Sequence, residues 1–254
     1  MFAAAAGILY FSDSADAKGL AQNAVVGVAF VALDSFLRNT HAFSLFLSSA
    51  VRHRNDVIRV SIAYLYRIKV DSKYLLIRSE RTGLFQPVGG VFKRYEGAKP
   101  TLAALGVQDD RKLPIDESSL DDLRIHVAGR HLLPLLRWFD SGADRETSAH
   151  REFHEELILS GIVDPDVFRY PVYRLIGRKR TGVQFSPYFK CWELRIADTV
   201  ELVPTPEQMA HLRTLSTSHS SDIMFATADE IESLGVVAPQ QLKATIGEHT
   251  RWIL

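Results

Sequence analysis

One cysteine stands in 254 residues, Cys191, so the chain can form neither an intramolecular disulfide framework nor a cysteine-based zinc site. It lies in the apolar run 189–196, where nothing adjacent in sequence would lower the thiol pKa, and a buried structural thiol is expected rather than a nucleophile. Net charge is missing as well. Lysine plus arginine number 30 and aspartate plus glutamate number 30, so no global field draws in a long nucleic acid and any phosphate must be met locally. No uninterrupted apolar run reaches the roughly 20 residues of a spanning helix. Internal repeats are also absent. With 46% apolar residues the chain can still bury one sizeable core and carry a short appendage.

The appendage is N-terminal. Residues 2–11 and 24–33 are apolar, each about half a membrane span, with the polar stretch 12–22 between them. The first run has no basic region before it and no small-residue cleavage site, so it does not read as a signal peptide. It reads as the end of a helix whose start is missing. Two readings fit: a membrane hairpin, or a buried or oligomer-forming helical hairpin. Arg38, Arg52 and Arg54 follow the second run, and a membrane hairpin would therefore leave the rest of the chain in the cytoplasm. Asp34 at the end of that run counts against a simple span. Residues 42–50 suit a short interfacial helix or a linker, which sets the expected boundary between segment 1–55 and domain 56–254.

From Val57 to Ile77 the residues are densely β-branched and aromatic, broken by Asp71-Ser72-Lys73, which predicts two antiparallel strands and a turn. A third strand is expected over 85–92, where Gly89-Gly90 permits close approach of a ligand or a neighbouring element. The polar stretch 97–140 then forms an insertion, either a decorated surface loop or a lid. Further strands are expected over 172–176, 182–185 and 188–196, with a bulge between Cys191 and Trp192 where the alternation changes phase. Capping boxes at Thr205-Pro206-Glu207-Gln208 and Thr227-Ala228-Asp229-Glu230 predict two helices. A last helix is expected over 238–254.

Chemistry concentrates in Arg151-Glu152-Phe153-His154-Glu155-Glu156. A helix predicted over 144–160, capped by Ser141 or Asp144 and stopped by Gly161, would set Glu152, Glu155 and Glu156 within roughly a third of its circumference. Their charges repel unless a cation sits among them, which suits Mg²⁺ and a phosphate-bearing ligand. A helix with three such glutamates is ordinarily a solvated face, but the glycine pair and the hairpin before it favour a site.

The run Gln86-Pro87-Val88-Gly89-Gly90 followed by this helix resembles a split Nudix box. The closer resemblance is to the SMODS-associated Nudix domain. It rests on Val60-Ser-Ile-Ala-Tyr-Leu-Tyr-Arg-Ile-Lys69, Leu136-Arg-Trp-Phe-Asp-Ser-Gly142, Arg180-Thr-Gly-Val-Gln-Phe-Ser-Pro-Tyr-Phe189 and Ala244-Thr-Ile-Gly-Glu-His-Thr-Arg-Trp-Ile-Leu254. The resemblance covers nearly four fifths of the chain. It implies an α/β fold, a Nudix-like mixed sheet sandwiched by helices behind an N-terminal membrane hairpin. It also implies a membrane effector of bacterial anti-phage defence of the CBASS type, placed in the inner membrane with the Nudix-like domain in the cytoplasm. Such an effector would sense a cyclic oligonucleotide, assemble into a homo-oligomer and breach the lipid bilayer.

The metal ligands implied are Glu152, Glu155 and Glu156, with Mg²⁺ as cofactor and Arg151 orienting a neighbouring glutamate. An ordinary Nudix box has a glutamate eight residues before the arginine and a glycine two after the last glutamate, whereas this chain has Ala143 and Ile158. These departures, with the insertion, weigh toward a sensor that does not hydrolyse and names no catalytic residue. The alternative is a Mg²⁺-dependent hydrolase of a nucleoside diphosphate derivative. Ligand contacts are expected from Gly89, Gly90, Arg78, Arg137, Arg178 and Arg180, with Arg67 and Lys69 as further candidates, because arginine suits bidentate phosphate contacts. Tyr66, Tyr188 and Trp138 are either base-stacking or core aromatics.

Overall fold

The computed structural model describes residues 51–110, 121–218, 220–238, 241–242 and 244–254. Both N-terminal apolar runs, and with them the expected hairpin, lie outside the described residues. Among the described residues no helix is long and apolar enough to cross a membrane. The unit that begins at Asn55 and ends at Leu254 is a mixed α/β fold.

Its elements follow one another as β1 (Val57–Arg67), β2 (Lys69–Val70), β3 (Lys73–Arg78), β4 (Phe85–Gln86) and β5 (Gly89–Val91). A 3₁₀ turn (Glu96–Ala98), α1 (Lys99–Ala104), β6 (Gln108–Asp109), β7 (Arg124–Ala128) and α2 (Gly129–Ser141) come next. Then α3 (His150–Phe153) runs into a π-helical turn (His154–Ile158), followed by β8 (Tyr173–Arg180), β9 (Gln184–Ser186) and β10 (Cys191–Leu202). The chain ends with α4 (Pro206–Thr217), β11 (Ile223–Thr227), α5 (Ala228–Glu232), β12 (Val236–Ala238), β13 (Gln241–Leu242) and a 3₁₀ helix (Glu248–Ile253).

The central sheet has seven strands, ordered β6-β7-β1-β10-β8, with β5 also on β1 and β9 also on β10. Only the β1–β10 pair is parallel; the other pairs in this sheet are antiparallel. Alternation places Ile58, Val60, Ile62, Tyr64 and Tyr66 on one face of β1, all fully buried. There Tyr64 meets Phe92, Phe92 meets Phe139 of α2, and Tyr66 meets Phe153 of α3, all at ring separations of 4.8–5.4 Å. On the opposite face Leu65 and Ala197 join Leu76, Ala226, Ile231, Ile246 and Ile253 in a second apolar cluster. α2 and α3 therefore cover one face, while a four-stranded sheet (β11-β3-β2, with β4 on β3), α5 and the C-terminal segment cover the other.

Several expectations are corrected. The strand expected over 85–92 is two, because Pro87 has no N–H for a ladder and the chain crosses there from β3 of the smaller sheet to β1 of the central one. The described part of 97–140 is neither loop nor lid: β7 pairs with β1, and α2 buries Leu132, Leu135, Leu136 and Phe139. The carboxylate helix starts at His150, not near Asp144, and Ser141 belongs to α2, closed by Gly142 in the left-handed region. The bulge falls between Thr199 and Val200, opposite β8, and the ladder at Cys191 and Trp192 is regular. The last helix is replaced by β12, β13 and a short 3₁₀ helix. Both capping boxes form, at Thr205 with Gln208 and at Thr227 with Glu230.

Candidate functional site

Strand β5 lies antiparallel to β1, with Gly89 opposite Leu65 and Gly90 opposite Tyr64. The two glycines do different work. A Cβ on Gly89 would fall 2.2 Å from the Tyr64 carbonyl oxygen, inside the sheet, whereas a Cβ on Gly90 would fall 1.8 Å from Glu152 Oε1. The first permits the strand pairing and the second admits the carboxylate.

The helix that carries the acids is fastened by two tyrosines. The Tyr66 hydroxyl donates to the Ala149 carbonyl at 2.9 Å, and the Ala149 amide donates to the Tyr173 hydroxyl at 3.0 Å. Phe153 and Leu157 are buried beneath, so Glu152 and Glu156 turn toward β5 while Glu155 remains exposed. Glu156 Oε2 accepts the Gly89 amide at 2.9 Å.

Arg151 supplies the cation of this cluster. Its Nη1 donates to Glu152 at 2.5 Å and to Glu155 at 3.2 Å, and its Nη2 donates to the Val91 carbonyl at 3.0 Å. Its remaining face meets buried Glu146, with Nε at 3.1 Å and Nη2 at 3.3 Å. Glu146 is held in turn by the Lys93 amide at 3.2 Å, and its own amide donates to the Lys93 carbonyl. The buried acid that braces Arg151 thus stands five residues before it, although position 143 is alanine. Sequence reasoning missed Glu146. The only signal was an isolated Arg145-Glu146 in a polar turn, and its burial arises from the bridge between Arg94 and Arg145.

Burial dominates the electrostatics. It pushes Glu156 up to about 8, with the neighbouring Glu152 and Glu155 charges adding to the rise and the Gly89 amide opposing it. Glu152 is raised for the same first reason, offset by Arg151. Burial works against the Arg151 charge, but Glu146 and Glu152 more than offset it and its pKa rises. Tyr64 is fully buried beside Glu146 and Glu152, and that burial with the two carboxylates pushes its phenol up, against the opposing pull of Arg151 and the Glu152 backbone amide. Asp122 is pushed up to about 6 by burial, against the pull of Arg124 and Lys93.

The residues expected to make cationic contacts are spread over β3, α2 and β8. Arg178 stands in one register row with Asp198, Tyr64 and Gly90, three strand spacings or about 14 Å from the glycine. Its guanidinium is committed to Asp198, at 2.5 and 2.9 Å, and to Asp140 at 2.5 Å. Arg180 is half-buried near the same acids, and its pKa is lowered by that burial. Arg78 is exposed at the end of β3 and Arg137 is exposed on α2. Arg67 pairs with Glu201 at 2.7 Å, and Lys69 lies 5.8 Å from the Tyr74 ring centroid. Tyr66 is a core aromatic, Trp138 is half-buried and Tyr188 is exposed. Cys191 is half-buried, not fully enclosed as expected.

The carboxylate oxygens of Glu152, Glu155 and Glu156 suit a hard cation in donor chemistry. As they stand, however, no three carboxylate, histidine or cysteine side chains among the described residues are grouped to hold a metal ion. Arg151 lies where such an ion would draw Glu152 and Glu155 together.

A mixed sheet whose glycine strand receives the acids of an Arg-Glu-x-x-Glu-Glu helix defines a Nudix-type domain. Residues 57–254 match the model of the SMODS-associated NUDIX domain, and the chain belongs to that family. No curated protein and no solved structure matches it. Nudix domains generally use a divalent metal, typically Mg²⁺.

Proposed function

We propose that this chain is a membrane-tethered effector of anti-phage defence whose Nudix-like domain senses a cyclic oligonucleotide rather than turning it over. The observation that carries this reading is Arg151, which bridges Glu152 and Glu155 and is braced by Glu146, so that the acids are charge-compensated from within the chain. A phosphodiester arriving at Gly89 and Gly90 would compete for the Arg151 guanidinium and release those acids. Arginine suits that exchange through its bidentate fork. Coupled to the apolar N-terminal segment, the rearrangement would drive homo-oligomers to disrupt the bacterial inner membrane. The apolar runs 2–11 and 24–33 support the membrane part of this reading.

A second reading has its own observation. Glu152 and Glu156 both turn from the helix toward the Gly89-Gly90 strand, where a Mg²⁺-dependent hydrolase of a nucleoside diphosphate derivative would need its metal-binding acids. If Mg²⁺ is bound, Glu152, Glu155 and Glu156 would hold it, and the ion would supply an activated water.

The two readings separate on one pair of measurements. The chain is incubated with cyclic di- and trinucleotides and with nucleoside diphosphate derivatives, with binding followed by thermal shift and turnover by chromatography. A shift of melting temperature with a cyclic nucleotide and no product supports the sensor. Mg²⁺-dependent turnover that Glu155→Gln abolishes replaces it with the hydrolase.

A further inference from the structure

The end of the central sheet where the chain enters the domain is unlike the rest of its rim. Strands β1 and β10 are parallel and in register there, with Ile58 opposite Trp192, so the β9–β10 turn at 187–190 emerges beside Val57. β7 ends at the same place: Ala128 pairs with Val57, and the Gly129 amide donates to the Asp56 carbonyl at 3.0 Å. Three apolar side chains are exposed at this end, Tyr188 at 80%, Val57 at 57% and Phe185 at 54%. Lys190, in the turn, and Arg130, just past β7, are exposed at the same end, with Phe185 on the Ile58 face of the sheet and Val57 on the other.

The turn is held from below. The Phe189 amide donates to Ser186 Oγ at 3.3 Å, and the Phe189 ring carries the Arg59 guanidinium 3.8 Å from its centroid. Arg59 is itself buried against Asp110 and Glu193, so the two acids beneath the turn are already neutralised. Phe185 packs edge-on against Trp192, with ring centroids 5.7 Å apart. What projects outward is an aromatic turn with a hydroxyl, and two cations stand exposed at the same end. Scattered exposed apolar residues need no explanation, but these share the end of the sheet at which β1 begins, and residues 1–54, which contain both apolar runs, precede β1 in sequence.

Resting on the membrane-tethered reading above, we infer that the tip formed by Tyr188, Phe185 and Val57, with Lys190 and Arg130, docks the domain onto an anionic lipid surface. Tyrosine is suited to the headgroup level, its ring apolar and its hydroxyl wet, and basic side chains beside it add attraction to anionic lipid. The domain would therefore present this end to the bilayer. The turn at Asp71-Ser72, at the far end of the eleven-residue β1, would lie about 33 Å further out.

Because Cys191 is the only cysteine, the full chain carrying Cys191→Ser accepts a single reporter. An environment-sensitive fluorophore is placed at Tyr188→Cys or, separately, at Ser72→Cys. The protein is then mixed with vesicles of equal parts phosphatidylglycerol and phosphatidylcholine doped with a headgroup-nitroxide lipid. Quenching at position 188 and not at 72 is expected. Arg130→Glu and Lys190→Glu should each weaken the quenching, on the order of fivefold per charge. Vesicles of phosphatidylcholine alone should quench less. A chain that floats with the vesicles while both positions quench equally, or neither does, overturns the docking surface and leaves the membrane tether standing. A chain that does not float overturns both.

Discussion

Burying Glu156 beneath the Gly89 amide raises its pKa from an ordinary 4.5 to about 8, so within that window the folded chain keeps a proton that the unfolded chain has lost. The folded state binding more protons means that stability falls as pH rises through the window, the reverse of a salt-bridged carboxylate. Glu156→Gln should therefore flatten the dependence of melting temperature on pH between about 5 and 8, and at pH 8 in metal-free buffer it should stabilise the chain by about 1–3 kcal/mol. Differential scanning calorimetry across that range checks both statements. Glu146 is the buried acceptor for two Arg151 nitrogens and the Lys93 amide. Glu146→Ala strands part of a half-buried guanidinium and should cost about 2–4 kcal/mol in urea unfolding. The three helix acids were legible in the sequence because helical spacing alone groups them. Glu146 was not, because what makes it part of the cluster is the chain reversal at Gly142 and Asp144, both at positive φ, which returns the backbone to β5.

The first hairpin and the two boxed helices followed from local chemistry. The β1 to β3 run announced itself by β-branched and aromatic density, and Thr205-Pro206-Glu207-Gln208 by a capping box in which both reciprocal bonds form. Thr205→Ala should destabilise α4 by about 1 kcal/mol in thermal melts, as the Gln208 amide loses its acceptor. Elements defined by which sheet a strand joins were not legible. β4 and β5 are one apolar run in sequence, and the 238–254 segment shows helical composition although Ile246 is drawn into a parallel bridge with Phe85. The glycine pair makes the same point as a test. Gly89→Ala sets a methyl 2.2 Å from a backbone oxygen of β1, which cannot give way without breaking the pairing, whereas Gly90→Ala meets the movable Glu152 side chain at 1.8 Å. Chemical denaturation should rank Gly89→Ala as clearly more destabilising. Gly90→Ala should lose ligand affinity while keeping most of its stability.

At the scale of the whole molecule, apolar contacts flank both faces of the central strand in the unit from Asn55 to Leu254: Phe92, Phe139 and Phe153 over Tyr64 and Tyr66 on one face, Leu76, Ile231 and Ile253 over Leu65 on the other. Its central strand β1 is paired on both edges, by β10 on one side and by β5 and β7 on the other. A unit with apolar contacts on both faces of its main strand and no open edge on that strand has the conditions for independent folding. A fragment beginning at Asn55 should unfold in one cooperative transition, with far-ultraviolet circular dichroism and tryptophan fluorescence reporting the same midpoint. It should also bind the same nucleotide as the full chain, because Gly89, Gly90, Arg151 and the acids all lie inside it. Loss of binding with folding intact would mean that the N-terminal segment completes the sensor, and the switch would then lie between segment and domain and not in the Arg151 cluster.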